Sequence, residues 1–565
     1  MKQTLYPWQE ECLSRWMANR GRGMVQAVTG SGKTRLALEA AARLEEALGQ
    51  ELFVKIVVPT GSLLRQWNQA LREFLEQKET ETSQVERQQI KNLQTGNHQT
   101  RNLLMEIGLR GGGYKTPAVT ESAASEKNAS SQTARTRSRK YMIYVVNSAR
   151  YELARQILWE LRNGEAVLLI ADECHHYASG QNQLIFEFLP YLSSCPGQFF
   201  SLGLSATLPS GEDRRYLASV LGAKIYQYGM TEAAFQRTIC HYDCYHIGLF
   251  FQEEEREQYE EMTGRLLYLD YQLKKLHPEL KYLTGKERFE TLRMLTANQN
   301  PRLAETAAQY MMLSYKRKSL VCQASSRIAC ACELIERLDP QERILIFGER
   351  IEQAEELYQR LQEQYPGRVG RYHSKMGPQA NKNALERFRM GELRILIACK
   401  GMDEGVDIPE VSVGIILSGT SAQRQRTQRL GRIVRKQEGK ERASLYYLHM
   451  TESSEDSCFL PEVGREKGKN AGNRIFELEY QASSGRFAHP AYDRAAKLVL
   501  NHSRRKGMSE EEIKEIQRCL SLGCVRADWL LTRAELEKNI REAAGMAERN
   551  YWICMKRVGI EGETL

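Results

Sequence analysis

The segment Ala27–Thr34 has the residue types and spacing of a phosphate-binding loop. It reads Ala-Val-Thr-Gly-Ser-Gly-Lys-Thr and stands between an apolar, strand-like run and a helical pattern. Its glycines let backbone N–H groups turn inwards around a phosphate, and the N-terminus of the following helix adds its dipole. Lys33 would bind the β- and γ-phosphate oxygens of ATP, and the Thr34 hydroxyl would bind Mg²⁺. The predicted ATP ligands of the loop are Thr29, Gly30, Ser31, Gly32, Lys33 and Thr34.

The loop departs at one position from the strict pattern, which opens with Gly where this chain has Ala27. A chance glycine turn is the alternative interpretation. Such a turn would not also place Gly-Lys-Thr between a strand pattern and a helical pattern, so we predict a nucleotide site.

Two adjacent carboxylates, Asp172 and Glu173, follow the apolar run Val-Leu-Leu-Ile-Ala. A buried strand that ends in this way places both side chains at the carboxyl edge of a sheet, where open α/β sheets bind ligands. Asp172 would hold Mg²⁺ through water, and Glu173 would polarise the attacking water as a general base. Acidic pairs are common on surfaces, but a position after a buried strand and downstream of a phosphate loop favours the catalytic role.

Two arginines lie three residues apart in Gln428–Arg435, which reads Gln-Arg-Leu-Gly-Arg-Ile-Val-Arg. On one helical turn, Arg432 and Arg435 would both face a cleft. The guanidinium fork suits a γ-phosphate whose charge spreads in the transition state. By itself the segment is equally typical of a basic surface helix. Together with the phosphate loop, it predicts arginine fingers supplied across a cleft between two lobes.

The elements that must position these residues form two α/β patterns. Short apolar runs rich in β-branched residues alternate with helical patterns in residues 1–240 and again in 336–455. Such alternation predicts parallel sheets flanked by helices. A polar, Ser- and Thr-rich stretch at about 76–140 is predicted to be a flexible insertion, because it lacks apolar side chains for a core. Residues 241–335 and 456–565 are predicted to be mainly helical.

Composition limits the class of protein. A chain of 565 residues predicts roughly three to four domains. The net charge of +9, from 80 Lys and Arg against 71 Asp and Glu, suits a polyanionic partner without requiring one. No apolar run reaches the roughly 18 residues that a membrane span needs. The N-terminus lacks the apolar core of a signal peptide, so we expect a cytoplasmic protein.

The 13 cysteines are scattered, and their odd number argues against a complete disulfide framework. Cys240, His241, Cys244 and His246 lie close together, but the second pair of ligands that a zinc site needs is lacking nearby. We therefore interpret this segment as a strand that carries buried thiols.

With further motifs in a fixed order, these elements resemble superfamily 2 helicases of the DEAD/DEAH-box type. The resemblance runs from about residue 5 to about residue 450. The further motifs are Tyr6-Pro7-Trp8-Gln9, Pro59–Trp67, Asn147-Ser148, Ser205-Ala206-Thr207, Ile344–Phe347 and Gly401–Pro409. The resemblance implies two tandem RecA-like lobes with a helical inter-lobe insertion and a helical C-terminal extension. It also implies ATP and Mg²⁺ as cofactors and nucleic acid as partner.

The resemblance assigns a role to each matching residue. Lys33, Glu173, Arg432 and Arg435 would be catalytic, and Thr34 and Asp172 would hold the metal. Gln9, at the adenine edge, and Asp407 would join the loop in binding ATP. Hydrolysis would be coupled to lobe movement by His175, Ser205, Thr207 and Gln428. The nucleic-acid backbone would be contacted by Thr60, Gly61, Arg65, Asn147, Ser148 and Lys400.

Four motif sequences resemble one branch of the superfamily, which holds xeroderma-pigmentosum-B-type repair helicases and the motor subunits of restriction enzymes. They are Pro-Thr-x-x-Leu-x-x-Gln-Trp, Asp-Glu-Cys-His, Glu-Gly-Val-Asp-Ile-Pro and Gln-Arg-Leu-Gly-Arg-Ile-Val-Arg. The branch implies DNA rather than RNA and movement from 3′ to 5′. This chain departs from it at Cys399, where the family more often has Thr.

Alternatives to a DNA helicase are an RNA helicase and a motor subunit of a restriction-type nuclease complex that translocates without unwinding. The last 110 or so residues lack a convincing nuclease motif. The helical C-terminal region is a candidate surface for a protein partner or for DNA. By analogy with the restriction-like branch, we expect a role in a bacterial defence or mobile-element system.

Overall fold

A computed structural model of the chain describes residues 5–89, 107–121, 136–399, 411–418, 433–434, 442–455 and 474–488, and parts of 500–556. The chain forms two compact units. The first contains residues 5–241, and the second contains most of the described residues from Tyr242 onwards. Each unit is built around an eight-stranded sheet.

Ten strands precede residue 241 in the described part of the chain. They are β1 (Arg22–Ala27), β2 (Leu52–Val58), β3 (Ile107–Gly111), β4 (Tyr114–Lys115), β5 (Val119–Glu121), β6 (Thr136–Ser138), β7 (Tyr141–Val145), β8 (Ala166–Asp172), β9 (Gln198–Ser205) and β10 (Lys224–Tyr228). The helices of this unit are α1 (Pro7–Ala18), α2 (Lys33–Leu48), α3 (Gly61–Gln89), α4 (Val146–Arg162), α5 (Gly211–Leu221) and α6 (Met230–Phe235). Short 3₁₀ helices cover Cys174–Ala178, Gly180–Phe186 and Leu189–Ser194.

The first sheet has the order β10-β1-β9-β8-β2-β7-β3-β4, and β5 pairs with β6 in a separate ribbon. The pairs in the large sheet are parallel except that between β3 and β4. All seven residues of β2 and of β8 are buried. A strand that is apolar on both faces is typical of a parallel sheet covered by helices on each side. The C-terminal ends of β1, β8 and β9 therefore meet at one edge, where Asp172 pairs with Leu204 and Gln26 with Ser205.

The described residues of the second unit form eight strands. They are β11 (His241–Leu249), β12 (Ile344–Gly348), β13 (Val369–Tyr372), β14 (Ile395–Cys399), β15 (Val413–Ile416), β16 (Arg442–Met450), β17 (Arg474–Gln481) and β18 (Arg486–Ala488), in the order β13-β14-β12-β15-β16-β11-β17-β18. The helices are α7 (Glu253–Leu276), α8 (Gly285–Leu295), α9 (Pro301–Gln323), α10 (Ser325–Arg337), α11 (Ile351–Gln364), α12 (Pro378–Arg389) and α13 (Arg533–Glu542). Short 3₁₀ helices cover Pro278–Lys281 and Ser374–Met376.

The predicted fold class is confirmed, because both units are α/β with mainly parallel sheets. The predicted helical region 241–335 begins with β11, a strand of the second sheet, and the helices α7 to α9 follow it, between β11 and β12 in the sequence. The predicted strand with buried thiols is β11, which carries Cys244 in the second sheet. Among the helices described, each is too short or too polar to span a lipid bilayer.

The prediction of a flexible insertion at 76–140 is wrong in part. Helix α3 continues to Gln89, and β3 pairs in parallel with β7 inside the main sheet. The physical reason is close packing: a Cβ atom at Gly108 would stand 2.2 Å from the Met142 sulfur, so the strand fits there because residue 108 has no side chain. The strand β3 contains two glycines and an arginine among its five residues, so it lacks the run of apolar residues by which buried strands are predicted from sequence.

The C-terminal region also differs from the all-helical expectation. Residues 474–488 form β17 and β18, and β17 pairs in parallel with β11. Leu478, Tyr480 and Phe487 are buried in the core of the second unit. Pairing with β11 and burial of these three side chains in the core of the same sheet, rather than local helix propensity, determine the structure of this stretch.

Candidate functional site

The phosphate loop connects β1 to α2, as the sequence predicts. Gly30 and Gly32 have φ values of 86° and 93°, which glycine adopts without strain. The Ser31 side chain is buried, and its Oγ donates a hydrogen bond of 2.8 Å to the carbonyl oxygen of Val28. Helix α2 begins at Lys33, whose Nζ donates to the carbonyl oxygen of Ala27 over 3.0 Å. The ammonium group therefore lies folded over the loop, within reach of an anion that the loop would hold.

Gln9 of α1 contacts the loop. Its side-chain oxygen accepts a hydrogen bond of 2.9 Å from the Tyr6 N–H, and its Nε2 donates one of 3.0 Å to the carbonyl oxygen of Gly32. A Cβ atom at Gly32 would stand 2.8 Å from this Nε2. Gln9 therefore contacts the phosphate loop although it lies 23 residues before Gly32 in the sequence, which is consistent with its predicted place in the ATP site.

The Thr29 hydroxyl tests whether the loop fits a nucleotide. It is buried, and within the described atoms it has no hydrogen-bond partner. A buried hydroxyl without a partner is destabilising by roughly 1–3 kcal/mol. A phosphate oxygen in the loop would satisfy it, and the neighbouring Thr34 stands in the first turn of α2. The donor groups of the loop therefore fit the phosphates of ATP.

Asp172 ends β8 and is fixed by two hydrogen bonds. Its Oδ2 accepts from Nε1 of the buried Trp67 over 2.8 Å, and its Oδ1 accepts from the Glu173 N–H over 3.0 Å. Burial raises the pKa of Asp172 to about 6, and the Glu173 charge acts in the same direction. The bond from Trp67 and the positive charge of Lys33 oppose this rise. A divalent cation would compensate the unfavourable burial of two adjacent carboxylates.

Glu173 stands in the left-handed region with φ of 46°, a conformation that is strained for a residue with a side chain. The turn begins a 3₁₀ helix at Cys174. The Tyr177 hydroxyl of that helix lies 2.8 Å from the Asp172 carbonyl oxygen and 2.9 Å from that of Val57. This side chain therefore anchors the turn that directs Glu173 away from the strand.

The three coupling candidates of the first unit form one cluster with Glu173. The His175 Nδ1 lies 2.8 Å from the Ser205 Oγ and 3.4 Å from the Glu173 Oε2. The Ser205 hydroxyl donates to the Thr207 carbonyl oxygen over 2.7 Å and accepts from the Thr207 N–H over 3.2 Å. Because Ser205 ends β9 beside β8, the sheet itself brings these residues together.

The nucleic-acid candidates of the first unit lie at two helix N-termini on the same edge. Thr60 precedes α3, where its Oγ1 accepts a hydrogen bond of 3.3 Å from the Leu63 N–H. Gly61 and Arg65 follow in the first turns, with the Arg65 guanidinium 3.1 Å from the Ser62 Oγ. Asn147 and Ser148 lie in the first turn of α4.

A glycine-rich turn lies between these two helix starts. A Cβ atom at Gly111 would stand 2.8 Å from the Ser148 Oγ, and one at Gly112 would stand 3.1 Å from the Gly61 Cα. Sequence reasoning missed this turn because it falls in the stretch predicted to be flexible. The signal was three consecutive glycines, Gly111 to Gly113, all of which have positive φ.

Five predicted site residues lie outside the described residues. They are Lys400, Asp407, Gln428, Arg432 and Arg435. Within Gln428–Arg435 only Ile433 and Val434 are described, and both are buried. The Val434 carbonyl oxygen accepts a hydrogen bond of 2.9 Å from the Cys240 N–H.

Two family models match the chain. Residues 2–210 match the type III restriction enzyme, res subunit, and residues 326–437 match the helicase conserved C-terminal domain. The DNA 3′-5′ translocase XPB2 of Sulfurisphaera tokodaii is 24% identical over 438 residues, which cover 77% of this chain and 80% of that protein. UvrABC system protein B of Thermosynechococcus vestitus is 30% identical over 169 residues, 29% of this chain and 24% of that protein.

A solved structure with a similar fold is the helicase domain of Hef from Pyrococcus furiosus. The TM-score is 0.49 at 16% sequence identity, and the match covers 81% of this chain and 98% of that domain.

Proposed function

Because the chain belongs to superfamily 2 of the helicases, related to XPB and to restriction motor subunits, we propose that it hydrolyses ATP to move along DNA from 3′ to 5′. Helicase domains imply a nucleic-acid-dependent ATPase in general. The observation that carries the proposal is the arrangement at the carboxyl edge of the first sheet. There the phosphate loop, the carboxylates of β8 and the Ser205 cluster come together.

The phosphate loop would bind the nucleotide through the Lys33 ammonium and the Thr29 hydroxyl, together with its backbone N–H groups. Mg²⁺–ATP, when bound, supplies the phosphoanhydride bond that is cleaved. Lys33 would exchange the Ala27 carbonyl oxygen for phosphate oxygens, and the unsatisfied Thr29 hydroxyl would gain an acceptor. Ser31, Gly30 and Gly32 would hold the loop open, and Gln9 would brace it and read the adenine edge.

Glu173 is the proposed general base. It lies directly after β8, and its carboxylate would take a proton from the water that attacks the γ-phosphate. Asp172 and Thr34 are proposed to hold Mg²⁺, with Trp67 and the Glu173 N–H keeping the Asp172 carboxylate oriented. We assign Arg432 and Arg435 to the transition-state charge and Asp407 to the nucleotide, on the family resemblance alone.

The cluster of His175, Ser205 and Thr207 is the proposed route from hydrolysis to movement, together with Gln428. Since the Ser205 hydroxyl touches both His175 and the loop after β9, a displacement of Glu173 during catalysis would be transmitted to that loop.

DNA would be bound through its backbone by Thr60, Gly61, Arg65, Asn147, Ser148 and Lys400. Backbone contacts predict weak sequence preference and strong salt dependence. The similarity to XPB2, a DNA 3′-5′ translocase, supports DNA as the partner and the 3′ to 5′ direction. The match to a restriction enzyme subunit favours one second candidate, a motor that translocates duplex DNA without separating its strands, within a bacterial defence system.

The proposal is tested by measuring ATP turnover with single-stranded, duplex and forked DNA and with RNA of the same sequences. We expect DNA to stimulate turnover at least tenfold and RNA to stimulate it less. Equal rates with and without every nucleic acid would contradict a nucleic-acid motor. Displacement of a third strand without displacement of a duplex strand would select the translocating motor over the helicase.

A further inference from the structure

The helices α7 to α9 expose an unusual number of apolar side chains. Of the 17 large hydrophobic side chains that are exposed in the described part of the chain, eight lie in this segment. They are Leu267, Tyr268, Tyr271, Tyr282, Phe289, Met294, Met312 and Tyr315. The segment also has a small buried core of its own, which includes Leu273, Leu292 and Leu303. This core consists of other side chains than the eight exposed ones, and a concentration of exposed apolar side chains marks an interaction surface.

A groove of about 460 Å³ opens in the same segment, between α7, the connection that follows it, α8 and α9. Leu266 and Leu280 are buried and form part of its wall, whereas Leu267 is 68% exposed at its margin. The volume lies within the range of pockets that bind ligands and short peptide segments.

The charge of the groove is positive. Four cations line it, Lys274, Lys281, Arg288 and Arg317, against a single carboxylate, that of Asp270. Asp270 is bound by both Lys274, at 2.7 Å, and Arg288. The lining therefore keeps a net positive charge after its one acidic group is paired.

We propose that this groove binds an acidic, leucine-rich segment of a partner protein. The accessible leucines of the lining, Leu267 and Leu283, would contact aliphatic side chains, and the cations at the margin would bind carboxylates, which is the pattern of an amphipathic helix in a groove. A single-stranded nucleic acid fits the groove less well, because bases stack on aromatic faces and the lining of the groove holds one aromatic side chain, Tyr310. The five exposed aromatic side chains of the segment lie outside this lining. The Asp270 carboxylate would also face the phosphates of such a strand. This surface goes beyond the proposed function and does not depend on ATP hydrolysis.

The test uses the full chain and a fluorescein-labelled peptide of 16 residues, with Leu at positions i, i+3, i+4 and i+7 and Glu elsewhere. Fluorescence anisotropy should show saturable binding. Leu267→Glu and Lys281→Glu should each weaken it at least tenfold, since one adds a negative charge at the groove margin and the other reverses a charge of the lining. Met390→Glu is the matched control, because Met390 is 75% exposed and lies after α12, outside the groove. The affinity of this variant for the peptide should stay within twofold of that of the wild type.

DNA-stimulated ATP turnover should be unchanged in all three variants, which reports folding and separates this inference from the motor function. Absence of saturable binding, equal binding by the wild type and both groove variants, or equal binding of a peptide with Lys in place of Glu would overturn the proposal. A 16-nucleotide single strand could also displace the peptide. If Leu267→Glu and Lys281→Glu weaken the binding of that strand as well, the proposal is overturned in favour of a nucleic-acid surface. Peptide binding by a protein whose ATP turnover is not stimulated by DNA would contradict the proposed motor function and leave the proposed groove intact.

Discussion

Replacement of Trp67 by Phe removes one hydrogen bond at the centre of the candidate site. The Trp67 side chain is buried, and its Nε1 donates to the Asp172 Oδ2 over 2.8 Å. Phenylalanine keeps an aromatic ring in the core but has no donor. In the described structure, Oδ1 of the same carboxylate keeps its bond from the Glu173 N–H. The substitution therefore isolates one contact to one proposed metal-binding oxygen.

The magnitude follows from the kind of bond. A hydrogen bond to a charged group contributes about 1.5–3 kcal/mol. At about 1.4 kcal/mol per factor of ten, its complete loss would favour protonated over ionised Asp172 by roughly ten- to a hundredfold. Water entering the space left by the indole would restore part of this. Loss of a group that orients a metal ligand commonly weakens metal binding by about 10- to 100-fold, so we expect a change near tenfold.

The assay is DNA-stimulated ATP turnover as a function of free Mg²⁺ at saturating ATP and pH 7.5. The Mg²⁺ concentration for half-maximal turnover should rise about tenfold in Trp67→Phe, while the maximal rate largely recovers at high Mg²⁺. Trp159→Phe is the matched control, because this tryptophan of α4 is 41% exposed, and it should behave as the wild type. Unchanged Mg²⁺ dependence in a folded Trp67→Phe protein would refute the assignment of Asp172 to the metal.

Three further predictions follow from individual contacts. Folding raises the pKa of Asp172 to about 6, so above that pH the ionised side chain destabilises the folded protein. Asp172→Asn should therefore raise the free energy of unfolding of the nucleotide-free protein by about 1–3 kcal/mol at pH 8, measured by urea unfolding. This gain should shrink as the pH falls from 6 towards 4. Lys55 and Glu160 form a fully buried ion pair at 2.8 Å. Glu160→Ala leaves the Lys55 charge buried without this partner and should lower the free energy of unfolding by about 3–5 kcal/mol, whereas the double variant Lys55→Met, Glu160→Leu should lower it much less. Equal losses in the two variants would contradict this account. Gly111→Ala should reduce DNA stimulation of turnover more than Gly113→Ala, because both have φ near 95° but only a Cβ at residue 111 meets Ser148 and Val145; equal effects would remove the glycine turn from the DNA site.

The parts of the fold that the sequence predicts are those with strong local patterns. Lys33 begins an amphipathic helix soon after a buried strand, and Asp172 ends a strand whose other residues are all apolar, so their positions follow from a few neighbouring residues. By contrast, β3 and β17 acquire their structure from distant partners, β7 and β11. Their own residues are mixed in polarity, and the pairing that stabilises them lies far away in sequence.

The same distinction holds within the candidate site. The acidic pair and the glycine loop are recognisable from residue type and spacing, and Ser205 is recognisable from the resemblance to superfamily 2 helicases. The bond from Trp67 to Asp172 spans 105 residues, and the approach of Gly111 to Ser148 depends on the placement of β3 beside β7. Such contacts are decided by the register of the sheet, which a pattern of residues along the chain does not contain.

The most direct test of the central claim separates nucleotide binding from hydrolysis in Glu173→Gln. Glutamine keeps the shape of the side chain but cannot act as a base, so binding of a fluorescent ATP analogue should stay within about threefold of the wild type. DNA-stimulated turnover should fall at least a hundredfold, since general base catalysis contributes about 10²–10⁴-fold. Glu212→Gln, at an exposed position in α5, should keep full turnover. Turnover of Glu173→Gln at the wild-type rate would contradict the assignment of ATP hydrolysis to this site.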